Sequence, residues 1–350
     1  MFNSVQDYTL GILPSKRKIS QSGWLSFNAV CCAHNGHNTD TRGRGGIKTN
    51  GDGHLSYHCF NCGFKTSYTP GRALSFKYRR FLKWLGADQT EIQRLVIEAL
   101  RVKDLVSPEQ IQEPESEEEI SFQSRALPKE AVSFIGLAEF YELADKNYPT
   151  GFVDAVDYVA GRKIDLQKYD FYWTPEFEHK LNRRVIVPFK HKNEIVGYTA
   201  RGLVDGIKPK YHSDHPGHFV FNLDNQRAEN KFVIVVEGPF DAMAIDGVST
   251  QTNEISMQQA DLIERLGKRI IYVPDFDKHV NKQGAEVWPG HTAVEQAIDY
   301  GWSVSFPVWY TDCKDVSKAV ELYGKLFVLT SILAAAESNP LKIKLIAGKI

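Results

Sequence analysis

The stretch KFVIVVEGPFDA, residues 231 to 242, carries the clearest signal for the fold of this chain. Residues 232 to 236 form an apolar run of strand length, and Glu237 follows it directly, before a Gly-Pro turn. A short apolar run bounded by turn residues is typical of a buried strand, and a helix is predicted from about Phe240. Ligands of open α/β sheets bind at the C-terminal ends of the strands, so Glu237 is a candidate site residue.

The pattern of a strand followed by a helix repeats beyond this stretch. Such alternation predicts a parallel sheet covered by helices, and hence an α/β fold, α+β for the chain as a whole. The further predicted strands are RRVIVPFK (183–190), EIVGYTARG (194–202), HFVFNL (218–223), RIIYV (269–273) and SVSFPVWY (303–310), with helices from about Thr292 and Val316.

Two more carboxylates follow the strand at 269 to 273. Asp275 and Asp277 alternate in PDFD, which directs both side chains to one side of an extended segment. Oxygen ligands at adjacent strand ends suit Mg²⁺, which keeps several waters and bridges to phosphates. Each feature alone is common, but together with Glu237 they indicate a metal-dependent site.

The charge of the chain is divided unevenly. Of the 350 residues, residues 1 to 103 carry 15 Lys and Arg against 6 Asp and Glu, and the remainder carry 27 against 37. A basic N-terminal part suggests a polyanionic partner such as nucleic acid, although a lysine-coated soluble domain would have the same composition. The longest apolar run, LFVLTSILAAA (326–336), is too short to cross a bilayer, so we expect a cytosolic protein without a membrane partner.

Four of the five cysteines lie in two short segments, VCCAHNGH (30–37) and YHCFNCGF (57–64). Cys31 with His34, and Cys59 with Cys62, give two pairs of ligands at the two-residue spacing of a closed, structural zinc site. The same segments contain further potential ligands, which remain alternatives: Cys32, His37, His54 and His58. We expect Cys313, far along the chain, to be a core thiol.

An acidic segment divides the chain. Residues 104 to 124 lack Lys and Arg and contain two prolines and a run of three glutamates, a composition typical of a linker. The predicted organisation is a zinc-ribbon-like domain (1–105), a flexible linker (106–126), a basic subdomain (127–230), a catalytic subdomain (231–320) and a helical basic tail (321–350).

Residues 231 to 317 resemble a TOPRIM domain, in which EGxxD follows one strand and DxD a later one. Glu237, Asp241, Asp275 and Asp277 match this pattern, and Lys314 and Asp315 match the later KD segment of primases. The preceding region is similar to the basic subdomain of bacterial and phage primases, with Arg184, Arg201, Lys210 and Tyr211 at matching positions. Cys31, His34, Cys59 and Cys62 match the zinc domain of the same family, and the length and the C-terminal LKIKLIAGKI are similar to stand-alone primases of T-even-like phages.

This resemblance implies a DNA primase that synthesises short RNA primers on single-stranded DNA from ribonucleoside triphosphates. Glu237, Asp275 and Asp277 would hold catalytic Mg²⁺, with Mn²⁺ as an alternative, and Asp241 and Asp315 would support them. The basic residues named above, with Tyr211 and Lys314, would bind template and nucleotide, while zinc would be structural.

Other functions share parts of this pattern. A TOPRIM nuclease or topoisomerase-like enzyme would use the same acids, and a zinc and TOPRIM recombination mediator would bind DNA without catalysis. The motif G-x-x-x-x-G-K-[ST] is absent from the sequence, so we expect a separate replicative helicase as partner, and a single-stranded-DNA-binding protein as a further one. For a phage-encoded chain, the location would be the host cytoplasm.

Overall fold

The structure is a computed structural model, and it divides into two compact units, Met1–Ile120 and Ser121–Ile350. The residues that the structure describes are 4–20, 23–35, 37–50, 53–72, 74–105, 121–175, 181, 183–204, 206–280, 284, 286–309 and 313–350.

Unit 1 contains an antiparallel sheet with strand order β1-β2-β3-β4-β5. Helix α2 packs on β5, and α3 packs on α1 and α2. The elements are α1 (Ser4–Gly11), β1 (Lys18–Ile19), β2 (Leu25–Phe27), a 3₁₀ turn (Ala33–Asn35), β3 (Gly45–Thr49), β4 (Leu55–Cys59), β5 (Lys65–Tyr68), α2 (Phe76–Trp84) and α3 (Gln89–Leu105).

Aromatic side chains form the core of unit 1. Tyr57 stacks on Phe81 with ring centroids 4.1 Å apart, and Tyr78 of α2 is fully buried. Ser75 caps α2 by accepting a hydrogen bond from the Tyr78 amide. The cysteines lie beside this core, since the Tyr57 hydroxyl is 3.3 Å from the Cys31 sulfur.

Unit 2 contains two five-stranded sheets and a short hairpin. Its elements are β6 (Val132–Ser133), α4 (Phe134–Leu143), α5 (Thr150–Gly161), β7 (Tyr172–Trp173), β8 (Arg184–His191), β9 (Glu194–Gly202), β10 (Tyr211–Asp214), β11 (Phe232–Val236), α6 (Pro239–Ile245), β12 (Val248–Ser249), α7 (Met257–Glu264), β13 (Arg269–Tyr272), β14 (His279–Val280), β15 (Glu286–Val287), α8 (Gly290–Asp299), β16 (Ser303–Ser305), α9 (Val316–Tyr323), α10 (Lys325–Ala334), β17 (Ala336–Glu337) and α11 (Pro340–Ala347).

The second sheet of unit 2 has the strand order β12-β11-β13-β16-β17. Its first four strands are parallel, and Val235 of β11 pairs with Tyr272 of β13. Strands β11 and β13 are neighbours, so the segments that follow them, which begin with Glu237 and contain Asp275, leave the sheet side by side. The predicted α/β fold, with a parallel sheet flanked by helices and a separate small cysteine-bearing domain, is confirmed.

The first sheet of unit 2, β10-β9-β8-β7-β6, is antiparallel and shares one hydrophobic core with the parallel sheet. The predicted strands at 183 to 190 and 194 to 202 form β8 and β9. The predicted strand HFVFNL is wrong: Phe219 and Phe221 are buried, but the segment makes only a single bridge, between Phe221 and Ser249. Its apolar residues fill the core without forming a ladder.

The predicted linker, 106 to 126, is only partly visible, because residues 106 to 120 lie outside the described residues. Residues 121 to 126 belong to unit 2. The Arg125 amide donates a hydrogen bond to the Ile195 carbonyl, and Phe122 packs against Phe219 with ring centroids 5.6 Å apart.

The C-terminal segment, 321 to 350, contains helices α10 and α11 and the short strand β17, and it packs on the rest of unit 2. Strand β17 pairs antiparallel with β16, and α11 packs on α8 and buries Ile343 completely. The apolar run at 326 to 336 forms the ten-residue helix α10 and enters β17. Among the described residues, no helix has the length and apolarity needed to cross a membrane.

We therefore expect Ile343→Ala to lower the free energy of unfolding by about 2–5 kcal/mol, because it leaves a cavity between α11 and α8. Leu345→Ala on the same helix is the matched control, since Leu345 is 68% exposed, and its effect should stay within about 0.5 kcal/mol. Chemical denaturation measures both. Equal effects would mean that α11 does not pack as described.

Candidate functional site

The four cysteines of unit 1 converge on one point. The sulfur atoms of Cys31, Cys32, Cys59 and Cys62 all lie within 4.8 Å of one another. The Cys31 and Cys62 sulfurs are 3.4 Å apart, and those of Cys32 and Cys59 are 3.5 Å apart. Four thiolates in a closed cluster are typical of structural zinc, and zinc binding is therefore supported by the donor set.

Neighbouring polar groups hold the sulfur atoms in place. The Tyr57 hydroxyl lies 3.3 Å from the Cys31 sulfur, and the side-chain amides of Asn61 and Asn35 donate hydrogen bonds to Cys32 and Cys62. Burial raises the pKa of the Cys31 thiol above its ordinary range and that of Cys32 to about 11. Metal binding to this cluster would therefore release protons.

The cluster differs from the predicted ligand set at one position, where Cys32 replaces His34. The His34 ring stacks on Trp84 instead, with ring centroids 4.9 Å apart and the planes nearly parallel. Cys31 and Cys32 lie in one tight turn before the 3₁₀ turn, so both sulfurs reach the cluster. Cys32 was one of the alternative ligands that the sequence left open.

In unit 2, carboxylates gather where β11 and β13 end. Asp241 lies in the first turn of α6, and Asp315 caps α9 by accepting a hydrogen bond from the Lys318 amide. The Asp275 carboxyl lies within electrostatic range of four others: Glu237, Asp241, Asp277 and Asp315. The structure thus brings together all five acids that the sequence indicated.

Hydrogen bonds orient the inner members of this acid cluster. Glu237 Oε1 accepts from the Tyr272 hydroxyl at 3.1 Å and from the Asp275 amide at 3.3 Å. Asp241 Oδ1 accepts from the Ser317 amide at 2.7 Å. Gly238 permits this arrangement, since a Cβ there would come within 2.6 Å of Asp241 Oδ2.

The acid cluster is short of positive charge. Burial, with the negative charges around it, raises the pKa of Asp275 to about 10, and burial with the charge of Asp315 raises that of Asp241 to about 7. Burial also raises the pKa of Glu237. Asp275 Oδ1 is buried and has no hydrogen-bond partner among the described residues, whereas the exposed Asp277 pairs with Lys314 at 3.3 Å.

The carboxylates are less tightly gathered than the thiols. Of the described residues, only the cysteine cluster brings three or more ligand atoms within 4.8 Å of one another. The acid cluster therefore leaves room between its oxygens, which suits a cation that keeps water and takes further ligands from phosphates.

A basic pocket of about 350 Å³ is lined by residues of α5, β9 and the loop that follows β9. Arg201 lies over Tyr211 and Tyr158, with its guanidinium carbon 4.8 and 5.9 Å from their ring centroids, and Arg162 lies 4.6 Å from the Tyr158 ring. Lys210 also lines the pocket. The pocket offers both cations and aromatic surfaces.

Two polar atoms of this pocket are buried without a hydrogen-bond partner among the described residues, Arg201 Nε and Tyr158 Oη. Buried polar groups are normally satisfied, so orphans of this kind indicate a ligand or ordered water. An anionic ligand would satisfy Arg201.

Ser317 connects the basic pocket to the acid cluster. Its hydroxyl accepts a hydrogen bond from Arg162 at 2.9 Å, and its amide donates to Asp241 at 2.7 Å. A ligand in the pocket therefore lies next to the acids.

Arg184, predicted to contact nucleic acid or triphosphate, is only 3% exposed. Its guanidinium donates to the carbonyls of Ala200, Pro209 and Lys210 at 2.7 to 3.3 Å. The structure thus gives Arg184 a supporting position beneath the segment that carries Lys210, and no contact surface.

Sequence reasoning missed Arg162, Tyr158, Lys208 and Tyr272. Tyr158 lies in α5 and Arg162 directly follows it, in a segment that no motif marked, and both reach the site only through tertiary packing. Tyr272 was assigned to a buried strand, but nothing in its spacing showed that its hydroxyl reaches Glu237.

No protein-family model matches the chain, and no curated protein matches it. Among solved structures, the chain is similar to the RNA polymerase domain of Mycobacterium tuberculosis primase DnaG, with 18% identity and a TM-score of 0.44 over 59% of this chain and 83% of that chain. A DnaG primase catalytic domain bound to single-stranded DNA gives 16% identity and a TM-score of 0.44 over 62% and 83%.

The zinc-binding and RNA polymerase domains of the Aquifex aeolicus primase give 17% identity and a TM-score of 0.43, covering 95% of this chain and 83% of that chain. With identities this low and TM-scores below 0.5, what the chain does is inferred from its own residues.

The structure and the sequence differ on the fourth zinc ligand, Cys32 or His34, and substitutions can distinguish the two. Cys32→Ser should lower the zinc content of the purified protein well below one ion per chain, because it removes a thiolate from the cluster, whereas His34→Ala should keep the ion. Metal analysis after dialysis measures both. Loss of zinc in His34→Ala with retention in Cys32→Ser would restore the set predicted from the sequence.

The raised pKa of Asp275 predicts a pH dependence of stability. The folded state holds this proton up to about pH 10, whereas the unfolded chain releases it near the ordinary value of 3.8. Stability should therefore fall as pH rises between these values, by at most about 1.4 kcal/mol per pH unit for one group.

Asp275→Asn cannot titrate, so in buffer free of added divalent ions its melting temperature should rise relative to the wild type as pH increases from 5 to 9. Thermal unfolding of both proteins measures the difference. A difference that does not change with pH would contradict the burial of this carboxyl.

Proposed function

We propose that this chain is a DNA primase, a DNA-dependent RNA polymerase that makes short RNA primers on single-stranded DNA. The observation that supports this proposal best is the junction at Ser317, which puts carboxylates with raised pKa values beside a pocket of cations and aromatic rings. Nucleotidyl transfer needs both, because its reactants are anionic.

Mg²⁺ fits the acid cluster, with Mn²⁺ as an alternative. The orphaned Asp275 Oδ1 and the mutual repulsion of the buried acids are what a divalent cation would relieve. Glu237, Asp275 and Asp277 would hold it, and Asp241 and Asp315, each tied to a backbone amide of α9, would support the set. When bound, the ion supplies positive charge to the triphosphate and to the developing negative charge.

The basic pocket binds and orients the nucleotides. Arg201 and Arg162 offer planar guanidinium groups that pair with phosphate oxygens, while the exposed Lys210 acts as a point charge along the template. Tyr158 and Tyr211 hold the arginines in place by stacking. The 3′-hydroxyl loses its proton to water as its oxygen bonds to the α-phosphorus of the next triphosphate. The bond from that phosphorus to the bridging oxygen breaks, and pyrophosphate leaves.

Unit 1 serves as a template-binding module. Phe60 is 60% exposed. Its ring centroid lies 4.3 Å from that of His58 and 6.0 Å from that of Trp24, and the ring also lies close to Gly46, which has no side chain. Exposed rings of this kind stack on bases, and the positive charge of this part of the sequence attracts phosphates. By contrast, Tyr57 and Phe64 are buried and belong to the core.

A tethered second module matters most when a chain begins. Two free nucleotides and a template must then be held together, and the covalent connection between the units raises their effective concentration for one another. Zinc keeps unit 1 folded and takes no part in the chemistry.

The similarity to stand-alone primases of T-even-like phages, the separate helicase, the single-stranded-DNA-binding protein and the cytoplasmic location remain predictions from the sequence. A TOPRIM nuclease or topoisomerase-like enzyme and a non-catalytic recombination mediator are the other outcomes of the test that follows.

The test is incubation with a single-stranded template and labelled ribonucleoside triphosphates, with and without Mg²⁺. We expect short RNA products only with Mg²⁺, a reduction of at least about 100-fold for Asp277→Asn, and unchanged DNA binding by gel shift. Asp154→Asn, an exposed acid on α5, is the matched control and should retain activity.

Cys59→Ser in the same assay should abolish initiation while leaving extension of a supplied primer measurable. Cleaved DNA would instead identify a nuclease, and DNA binding with neither product would identify a mediator. Full RNA synthesis by Asp277→Asn would contradict the catalytic assignment.

A further inference from the structure

The hydroxyl of Tyr272 reaches into the acid cluster from the interior of the sheet. Tyr272 is the last residue of β13, pairs with Val235 of β11 and is completely buried. Side chains alternate along a strand, so Glu237 points to the same side as Val235 and thus toward Tyr272. The Tyr272 hydroxyl lies 3.1 Å from Glu237 Oε1.

Both hydrogen-bond donors that the structure gives Glu237 reach the same oxygen. The Asp275 amide also donates to Oε1, at 3.3 Å. The Tyr272 hydroxyl is the donor of this pair, because it carries a proton and a carboxylate oxygen only accepts. A carboxylate oxygen with two donors is a poor metal ligand, whereas the other oxygen, Oε2, is left for a cation.

We propose that Tyr272 is a positioning residue that restricts Glu237 to coordination through one oxygen and thereby favours Mg²⁺ over Ca²⁺. Mg²⁺ requires near-octahedral geometry, whereas Ca²⁺ takes six to eight oxygens and readily accepts both oxygens of one carboxylate. The inference rests on the proposed function, in which Glu237 binds a divalent cation.

The chain offers a matched control for the loss of a buried tyrosine hydroxyl. The Tyr169 hydroxyl donates to Asp246 Oδ1 at 2.9 Å, and Tyr169 is also buried. Asp246 follows the last residue of α6, at the opposite end of this helix from Asp241. Tyr169→Phe therefore removes a similar hydrogen bond without touching the hydrogen bonds of Glu237.

The experiment is a Mn²⁺ titration of the zinc-loaded full chain, followed by electron paramagnetic resonance, with Mg²⁺ and Ca²⁺ as competitors. Sites that disappear in Asp275→Asn are assigned to the acid cluster. Loss of a hydrogen bond to a metal ligand typically costs about 10–100-fold in affinity. We expect Tyr272→Phe to weaken Mg²⁺ by about 10-fold and Ca²⁺ clearly less, while Tyr169→Phe leaves the ratio of the two affinities unchanged.

Two results would overturn the inference while leaving the metal site intact. One is that Tyr272→Phe leaves both affinities unchanged. The other is that it weakens the binding of Mg²⁺ and Ca²⁺ equally, which would mean that Tyr272 supports the site without selecting the ion. A wild-type protein with no Mn²⁺ site sensitive to Asp275→Asn would instead refute the metal site of the proposed function, and the inference with it.

Discussion

The fold of unit 2 gathers several carboxylates, partly buried, at the ends of two neighbouring strands, and these carboxylates repel one another. Parallel pairing of β11 and β13 brings Glu237 and Asp275 together, and the hydrogen bond from the Asp275 amide to Glu237 fixes their spacing. Burial without a counter-charge is unfavourable for ionised acids. The raised pKa values of Asp275 and Asp241 follow from that cost. Helix α9 offsets part of this cost, because its backbone amides donate hydrogen bonds to Asp241 and Asp315.

The two units are stabilised in different ways. Unit 2 buries a continuous core shared by two sheets, which is large enough to hold several unfavourable charges. Unit 1 has a small sheet and an aromatic core, and its four thiols occupy a position where a larger domain would place apolar side chains. A metal ion bound there would contribute directly to folding.

Much of the site could be predicted because its residues are tied to strand ends. Glu237, Asp275 and Asp277 follow apolar runs, and the order of strands and helices predicts that these runs are neighbours. The burial of Arg184 was not predicted, because two of the three carbonyls that it reaches, those of Pro209 and Lys210, follow β9 in a loop whose path spacing does not reveal. The choice between Cys32 and His34 depends on the geometry of a single turn. Arg162 reaches Ser317 across 155 residues of sequence, a contact that only the folded chain creates.

The two edges of the parallel sheet are both closed by short antiparallel partners. On one side, β17 pairs with β16 and ends at Glu337, and on the other, Phe221 bridges to Ser249 of β12. An open edge strand presents unpaired amides and carbonyls to other chains and invites intermolecular β-pairing. These caps, each contributed by a distant part of the chain, therefore oppose self-association through the sheet. Because the outer partner is only two residues long on one side and a single bridge on the other, each edge leaves few backbone groups for a second copy of the chain to pair with.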